Sequence, residues 1–348
     1  MTTEELLEQA NLRFSSDIKK GYGRKFANDK PTYFNTQGEK ITEDAVIERI
    51  NKLAIPPAWE SVWICPYKNG YLQATGLDSK GRKQYRYHTL WNELSSQQKF
   101  EHMILFAEIL PKIRGHVRYV LDQKGHTREK VLATVVWLLE NTLIRVGNEE
   151  YEEENKSYGL TTLKNRHADV SKDEVHFSFK GKSGVYHDVH IKSKKVAKVV
   201  KQCQELPGQE LFEYRDDEGK MQNVSSHDVN EYLKEISGED ITAKNFRTWA
   251  GSMLAARMLS RIGPQETDTA AKKTITQTVK KVSSHLRNLP STCRKYYIHP
   301  AIFTAYAEGY TLSNVSTHKK FKTLKHVDNL NDSENGIIGL VSIFEAAA

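Results

Sequence analysis

The sequence predicts an α+β chain in two parts: a small N-terminal antiparallel β-sheet domain, then a larger and mostly helical domain. Three observations lead there. The chain has 348 residues, more than one core usually serves, since domains run to roughly 100–200 residues. β-branched and aromatic runs crowd into residues 33–88, punctuated by Asn69-Gly70 and Asp78-Ser79-Lys80-Gly81; such clusters mark strands and turns. Beyond Ser95 the apolar residues recur at helical spacing instead.

The elements follow in order. The first twenty residues read as a polar helical lead-in, and Gly21-Tyr22-Gly23-Arg24-Lys25 as a flexible basic joint. Tyr33 to Ile41 reads as a short strand. Thr42 is the expected cap of a helix with Val46, Ile47, Ile50 and Leu53 on one face, stopped by Pro56-Pro57. Ser61–Lys68 and Tyr71–Leu77 read as a hairpin about Asn69-Gly70, with Arg82–His88 as a third strand. Ser95 or Ser96 is the expected cap of the first long helix, with Phe100, Met103, Ile104 and Ala107 inward. Thr127 starts another, whose Val131–Ile144 run is buried core. Gly159–Leu163, Val175–Lys180 and Val185–Ile191 read as strands, the last two joined at Gly181-Lys182-Ser183-Gly184. Helices resume at 193–206, 226–236, 242–259 and 269–287. The expected domains are 1–95 and 96–312, followed by a polar, partly disordered tail at 313–348.

Composition excludes several classes. Hydrophobic residues make up 38% and charged residues 27%, enough to bury a core, so wholesale disorder is excluded. No uncharged apolar run approaches the roughly 18 residues of a membrane helix. The opening MTTEELLEQA lacks the basic flank and apolar run of a secretion signal. Cys65, Cys203 and Cys293 are scattered, which fits neither a disulfide framework nor a zinc site and implies a reducing, cytoplasmic setting. A net charge of +7 points weakly to a polyanionic partner.

Some residues could carry chemistry. In Lys80–His88, strand alternation sends Arg82, Gln84 and Arg86 to one face and Lys83, Tyr85 and Tyr87 to the other. Cations can neutralise phosphates, and Gln and Tyr can contact base edges. The bland reading is an edge strand protected by charge. Arg145 closes a buried helix, where an arginine often only caps carbonyls. Lys182 sits at a hairpin tip, where lysine serves solubility. Lys244 and Arg247 share a helix face at i, i+3. Tyr296 and Tyr297 stand in a short helical turn after Pro290. Each taken singly reads as structural. His187 and His190 face opposite sides of a strand, so they are no metal pair.

Taken together, these segments resemble the type IB DNA topoisomerases, in their compact poxvirus-like and bacterial branch. The resemblance runs from about Gly21 to Gly309. It rests on Arg-x-Gly-x-x-x-Tyr at Arg145–Tyr151, Gly-Leu-x-Thr-Leu-Lys-Asn at Gly159–Asn165 and Phe-x-Gly-Lys at Phe179–Lys182, then on Lys-x-x-Arg at Lys244–Arg247 and Asn-x-Pro…Arg-Lys-x-Tyr-Ile at Asn288–Ile298. All occur in the family's order. The resemblance implies a C-shaped clamp on duplex DNA, closed by a β-rich N-terminal domain and a helical catalytic domain, with a joint near Leu94–Gln98. It implies relaxation of positive and negative supercoils through a 3′-phosphotyrosyl intermediate, without ATP, cofactor or required metal. Tyr297 is then the nucleophile, assigned over Tyr296 by its spacing to Arg294-Lys295 and Ile298. Arg145 and Arg247 stabilise the phosphate charge, Lys182 is the general acid, and Lys244 is an auxiliary basic residue. Asn288 stands where poxvirus and eukaryotic members have histidine. It can still donate a hydrogen bond but brings no charge. His285, one turn earlier, reads as a surface histidine. Arg82, Gln84, Tyr85, Tyr87 and Tyr151 fall on DNA-contacting positions.

The expected partner is duplex DNA, met by a monomer without an obligate protein partner, at the nucleoid and away from membranes. Two rivals share the pattern. A tyrosine recombinase or integrase has the same catalytic set but usually carries His-x-x-Arg where this chain has Lys-x-x-Arg. A DNA-binding protein that had lost catalysis would not be expected to keep every basic residue and the tyrosine.

Overall fold

A computed structural model describes residues 3–27, 30–79 and 81–344, with the backbone alone at 27, 95–99, 101 and 150–151. Lys80 lies outside the described residues, as does the side chain of Tyr151. The chain divides into two units, Met1–Glu101 and His102–Ala348.

The first unit opens with a short helix, α1 (Thr3–Gln9), and is built on five antiparallel strands. These are β1 (Tyr22–Ala27), β2 (Lys30–Phe34), β3 (Glu60–Ile64), β4 (Leu72–Leu77) and β5 (Lys83–Tyr87), in the spatial order β2-β1-β3-β4-β5. Helix α2 (Asp44–Lys52) covers one face: Ile50 is buried with Tyr33, Val62, Ile64 and Ala74, and Val46, Ile47 and Leu53 pack around them. That is the apolar stripe the sequence predicts. Three details differ. Gly21–Lys25 is no joint, because Tyr22–Ala27 pairs with β2 and β3, and Arg24 donates to the carbonyls of Ile55, Pro56, Pro57 and Trp59. Thr42 does not cap α2: the Val46 and Ile47 amides both donate to Glu43 O, so the helix begins one residue later. The strand expected at Tyr33–Ile41 ends at Phe34, where Asn35 Oδ1 accepts from the Gln37 and Glu39 amides and turns the chain.

β3 and β4 form a hairpin, but its connection is wider than the two residues Asn69-Gly70. Gln73 Nε2 fills the loop by donating to Gly70 O at 2.6 Å and Tyr67 O at 3.1 Å. β5 is an edge strand, and the alternation holds. Arg82 and Gln84 both bond Asp78 Oδ2, while Tyr85 and Tyr87 stack with centroids 6.0 Å apart beside Lys83.

The long helix α3 (Thr89–Asp122) begins before Ser95 or Ser96, so neither serine caps it. Its start is satisfied by His88 Nδ1, which accepts from the Leu90 amide at 3.2 Å. The unit division falls within α3, as do residues 94–98, where a joint was expected.

In the second unit α4 (Arg128–Thr142) is the central helix, capped by Thr127 Oγ1 on the Lys130 amide at 3.3 Å and buried along most of its length. Around it lie α5 (Glu149–Asn155), a three-stranded antiparallel sheet of β6 (Ala168–Val170), β7 (Glu174–Lys180) and β8 (Tyr186–Lys192), α6 (Lys194–Gln204), and a small hairpin of β9 (Glu213–Arg215) and β10 (Met221–Asn223). Helices α7 (Ser226–Ser237), α8 (Ala243–Ile262), α9 (Asp268–Leu286), α10 (Pro290–Tyr296), α11 (Pro300–Ala307) and α12 (Asp332–Phe344) follow.

Two expectations fail here. Gly159–Leu163 is not a strand but a 3-10 turn at Leu160–Thr162, because the Leu160 and Thr161 amides are taken by Arg145 O and Val146 O. The partly disordered tail expected at 313–348 is not seen in residues 313–344, and residues 345–348 lie outside the described residues. α12 buries Ile337, Leu340, Val341 and Phe344 in the main core. Its Glu334 accepts two hydrogen bonds from Arg114, at 2.7 and 3.2 Å, and Arg114 also pairs with Glu140 of α4. A bidentate pair of this kind compensates the burial of its charges.

Candidate active site

Five separated segments of the second unit supply the site, and each is set by local backbone chemistry. α4 ends at Leu143 in the left-handed region, φ 58, and the chain turns out to Arg145. The loop is pinned where Leu160 N–H donates to Arg145 O at 2.9 Å. Gly147 has φ +116, and a Cβ there would meet Thr161 Oγ1 at 2.7 Å. Only glycine fits that backbone. This accounts for the Arg-x-Gly and Gly-Leu-x-Thr patterns as two halves of one contact.

Lys182 is exposed at the turn joining β7 to β8. Tyr158 N–H donates to Lys180 O at 2.8 Å and fixes the strand end just before it. Lys244 and Arg247 lie in the first two turns of α8, whose start is closed by Asn245 Oδ1 accepting from the Thr242 amide at 2.9 Å. α9 ends on Arg287 at φ 51, and Asn288 N–H returns to Ser283 O at 2.9 Å. This left-handed cap turns Asn288 toward the site. Tyr297 closes α10, its amide on Cys293 O at 2.9 Å.

Arg145, Lys182, Lys244, Arg247 and Tyr297 line one pocket of about 350 Å³, and Asn288 is joined to it through Arg145 rather than lining it. Arg145 Nη2 donates to Asn288 Oδ1. Arg247 is 4% exposed. Its two terminal nitrogens donate to Leu143 O and, at 2.8 Å, to Leu286 O, so it ties the ends of α4 and α9 together. Its Nε, like Asn288 Nδ2, is buried without a hydrogen-bond partner. The guanidinium lies 5.1 Å from the centroid of the Tyr297 ring. Burial, and then the nearby Arg145 charge, lower the Arg247 pKa to about 10, which leaves it charged at neutral pH.

α8 passes close beneath the tyrosine. A Cβ on Gly251 would lie 2.3 Å from Tyr297 O. In an ordinary helix Gly→Ala gains about 0.5–1 kcal/mol. Here overpacking against a backbone atom costs about 1–3 kcal/mol. Gly251→Ala is therefore expected to lower the melting temperature and to slow any reaction at Tyr297 at least tenfold. Thermal unfolding with single-turnover kinetics checks this, and an unchanged melting temperature would show that the contact carries no constraint.

The match to known proteins covers nearly the same residues. Residues 86–325 match the family described as eukaryotic DNA topoisomerase I, catalytic core, and residues 31–78 match bacterial DNA topoisomerase IB, N-terminal domain. The chain is 32% identical over 290 residues to DNA topoisomerase 1B of Acanthamoeba polyphaga mimivirus, covering 81% of this chain and 86% of that one. The chain belongs to the type IB DNA topoisomerases. DNA topoisomerase 1B of vaccinia virus (strain Copenhagen) is 26% identical over 265 residues, 75% of this chain and 81% of its own. DNA topoisomerase 1 of Mycosarcoma maydis is 28% identical over 204 residues, 53% of this chain and 20% of its own.

In the topoisomerase neither Tyr296 nor His285 lines this pocket. Tyr296 lies under the Lys295 ammonium, 5.2 Å from its ring centroid, and Tyr297 rather than Tyr296 lines the pocket. His285 is exposed, with Nδ1 on Lys281 O at 2.9 Å, and reads as a surface residue. Arg82, Gln84, Tyr85 and Tyr87 belong to the first unit. Two contributors escaped the sequence reading. Arg287 donates from its side chain to Tyr186 O and Asp188 O, tying the end of α9 to β8. His187 is buried under the Lys182 turn, stacked on Phe179 at 4.7 Å. Burial first, then the Arg287, Arg145 and Arg247 charges, push its pKa down to about 4, so it is neutral. Neither residue carries a local signal, since both act through segments far away in sequence. No helix among the described residues is long and apolar enough to cross a membrane.

Proposed function

We propose that this topoisomerase relaxes positive and negative supercoils by cutting and resealing one strand of duplex DNA through Tyr297. The observation that carries this reading is the convergence of Tyr297 with Arg145, Lys182, Lys244 and Arg247 on one pocket. Tyr297 Oη attacks a backbone phosphorus. The bond from phosphorus to the 5′-oxygen breaks, and the phosphate stays on the enzyme as a 3′-phosphotyrosine. The phenolic proton goes to water, and Lys182, exposed at its turn, donates a proton to the leaving 5′-oxygen. The strand rotates, and the 5′-hydroxyl then attacks in reverse. Bond energy is held in the linkage, so ATP is not needed.

Arg145 and Arg247 stabilise the charge of the pentacoordinate transition state. Arg247 uses one N–H of each terminal nitrogen on a carbonyl, and its Nε, which has no partner, is a donor it can offer to a non-bridging oxygen. Asn288 Nδ2 is a second donor of the same kind, oriented by the Arg145 bond. Lys244 adds positive potential at the pocket rim. Fixed cationic donors can fill the part that metal ions take in other phosphoryl transfers. The enzyme acts as a monomer in the cytoplasm, at the nucleoid. Residues 96–312 carry the chemistry, and residues 1–95 contact the duplex through Arg82, Gln84, Tyr85 and Tyr87, with Tyr151 on a phosphate nearer the cut.

Relaxation of plasmids of both signs in EDTA without ATP tests this. Relaxation of both is expected. A recombinase would leave topology unaltered without its site, and a plain DNA-binding protein would only shift the plasmid on a gel. Binding is also expected to weaken steeply between about 50 and 200 mM salt, because each neutralised phosphate contributes about −0.9 to the slope of log K against log salt. A flat response would contradict extensive phosphate contact.

A further inference from the structure

The outer face of β7 and β8 carries a cluster that strand cleavage does not use. His176 and His190 stand directly opposite in the antiparallel register. Their rings stack with centroids 4.0 Å apart and planes 9° apart. Asp188, two residues before His190 and so on the same face, brings Oδ1 to 2.8 Å from His176 Nε2 and 3.5 Å from His190 Nε2. Glu174 Oε1 takes the other nitrogen of His190, Nδ1, at 3.0 Å. One ligand atom from each of His176, Asp188 and His190 thus falls within 4.8 Å of the others.

We propose that His176 Nε2, His190 Nε2 and Asp188 Oδ1 bind a divalent transition ion of the Zn²⁺ class. Two imidazoles and one carboxylate are a donor set suited to such ions, with water at the fourth position. Ligand bonds of about 2.0–2.1 Å in a tetrahedron place ligand atoms about 3.3 Å apart. The His190–Asp188 separation is already near that. The His176–Asp188 separation must open by about 0.5 Å, and the two stacked rings must turn about χ2 so that their in-plane Nε2 lone pairs converge on the ion. Glu174 does what an outer carboxylate does at metal-bound histidines: it holds the proton on Nδ1 and leaves the Nε2 lone pair for the ion. Mg²⁺ is a poor fit, because it prefers oxygen ligands in an octahedron. The ion would cross-link β7 to β8 within the hairpin whose turn carries Lys182, acting as a staple on that hairpin.

The test titrates the full chain with Zn²⁺ against a chromophoric chelator, and with Co²⁺ followed by its visible absorption. One ion per chain is expected, unaffected by millimolar Mg²⁺. Binding should weaken at least tenfold in His190→Ala and in the near-isosteric Asp188→Asn, and about tenfold in Glu174→Gln. Bound Zn²⁺ should slow amide hydrogen exchange in residues 174–192. Asp188 and His190 are exposed and Glu174 is half-buried, and circular dichroism confirms that each variant is folded. Absence of binding by the wild type overturns the proposal with no variant involved. Equal Zn²⁺ affinity in folded His190→Ala and Asp188→Asn, or protection elsewhere in the chain, overturns it as well.

Discussion

Tyr297→Phe is expected to abolish relaxation, by ~10⁴-fold or more, the order found when a nucleophile is removed from an assembled site. DNA affinity should change by no more than about threefold, because the hydroxyl of one half-buried tyrosine is a small part of a contact dominated by phosphates. Tyr296→Phe should keep activity within about tenfold. The two neighbours are distinguished by surroundings rather than chemistry. Tyr297 lines the pocket with Arg247 5.1 Å from its ring centroid, whereas Tyr296 packs under Lys295. Gel relaxation with a filter-binding assay separates the effects. Surviving relaxation in Tyr297→Phe, lost in Tyr296→Phe, would reverse the assignment.

Lys182→Ala is expected to slow strand cleavage by about 10²–10⁴-fold, the usual worth of a positioned general acid. An alkoxide leaves poorly, so withholding its proton strikes the step directly. Lys182 is exposed at a turn held by Tyr158 and Gly181 main-chain bonds. Its removal should therefore leave stability and DNA affinity nearly unchanged. A substrate with sulfur at the 5′-bridging position leaves without protonation and should recover most of the lost rate. If the sulfur substrate cleaves as slowly as the ordinary one, Lys182 acts by binding or orientation and not by proton donation.

Several parts of this account were legible in the sequence. The period-two face of β5 could be read because strand alternation is strictly local. The pairing of Lys244 with Arg247 followed from helix geometry, and the Thr127 cap from side-chain chemistry. The candidate site residues came from ordered motifs, and the pocket gathers five of them. What the sequence hid was long-range. Gly159–Leu163 has strand-like composition, but its amides are claimed by the Arg145 loop. Arg24 looks like a mobile cation and is instead bound to four carbonyls some thirty residues away. α12 looked like a tail because its neighbours are polar. Its partner Arg114 lies 220 residues earlier, and no periodicity reveals such a pairing. The strand argument against a His187–His190 pair stands, since His187 is buried and His190 exposed. It could not show that His176 would arrive opposite His190.

The most direct measurement is the site of covalent attachment. The enzyme is incubated with a nicked suicide substrate that loses its 5′-fragment, then denatured and digested, and the DNA-linked peptide is sequenced by mass spectrometry. The prediction is one adduct, a 3′-phosphate on Tyr297 within the peptide that includes Ile298, formed equally well in EDTA. An adduct on Tyr296, attachment through a 5′-phosphate, or no adduct from an enzyme that binds the substrate would contradict the reading of this pocket as the cleavage site.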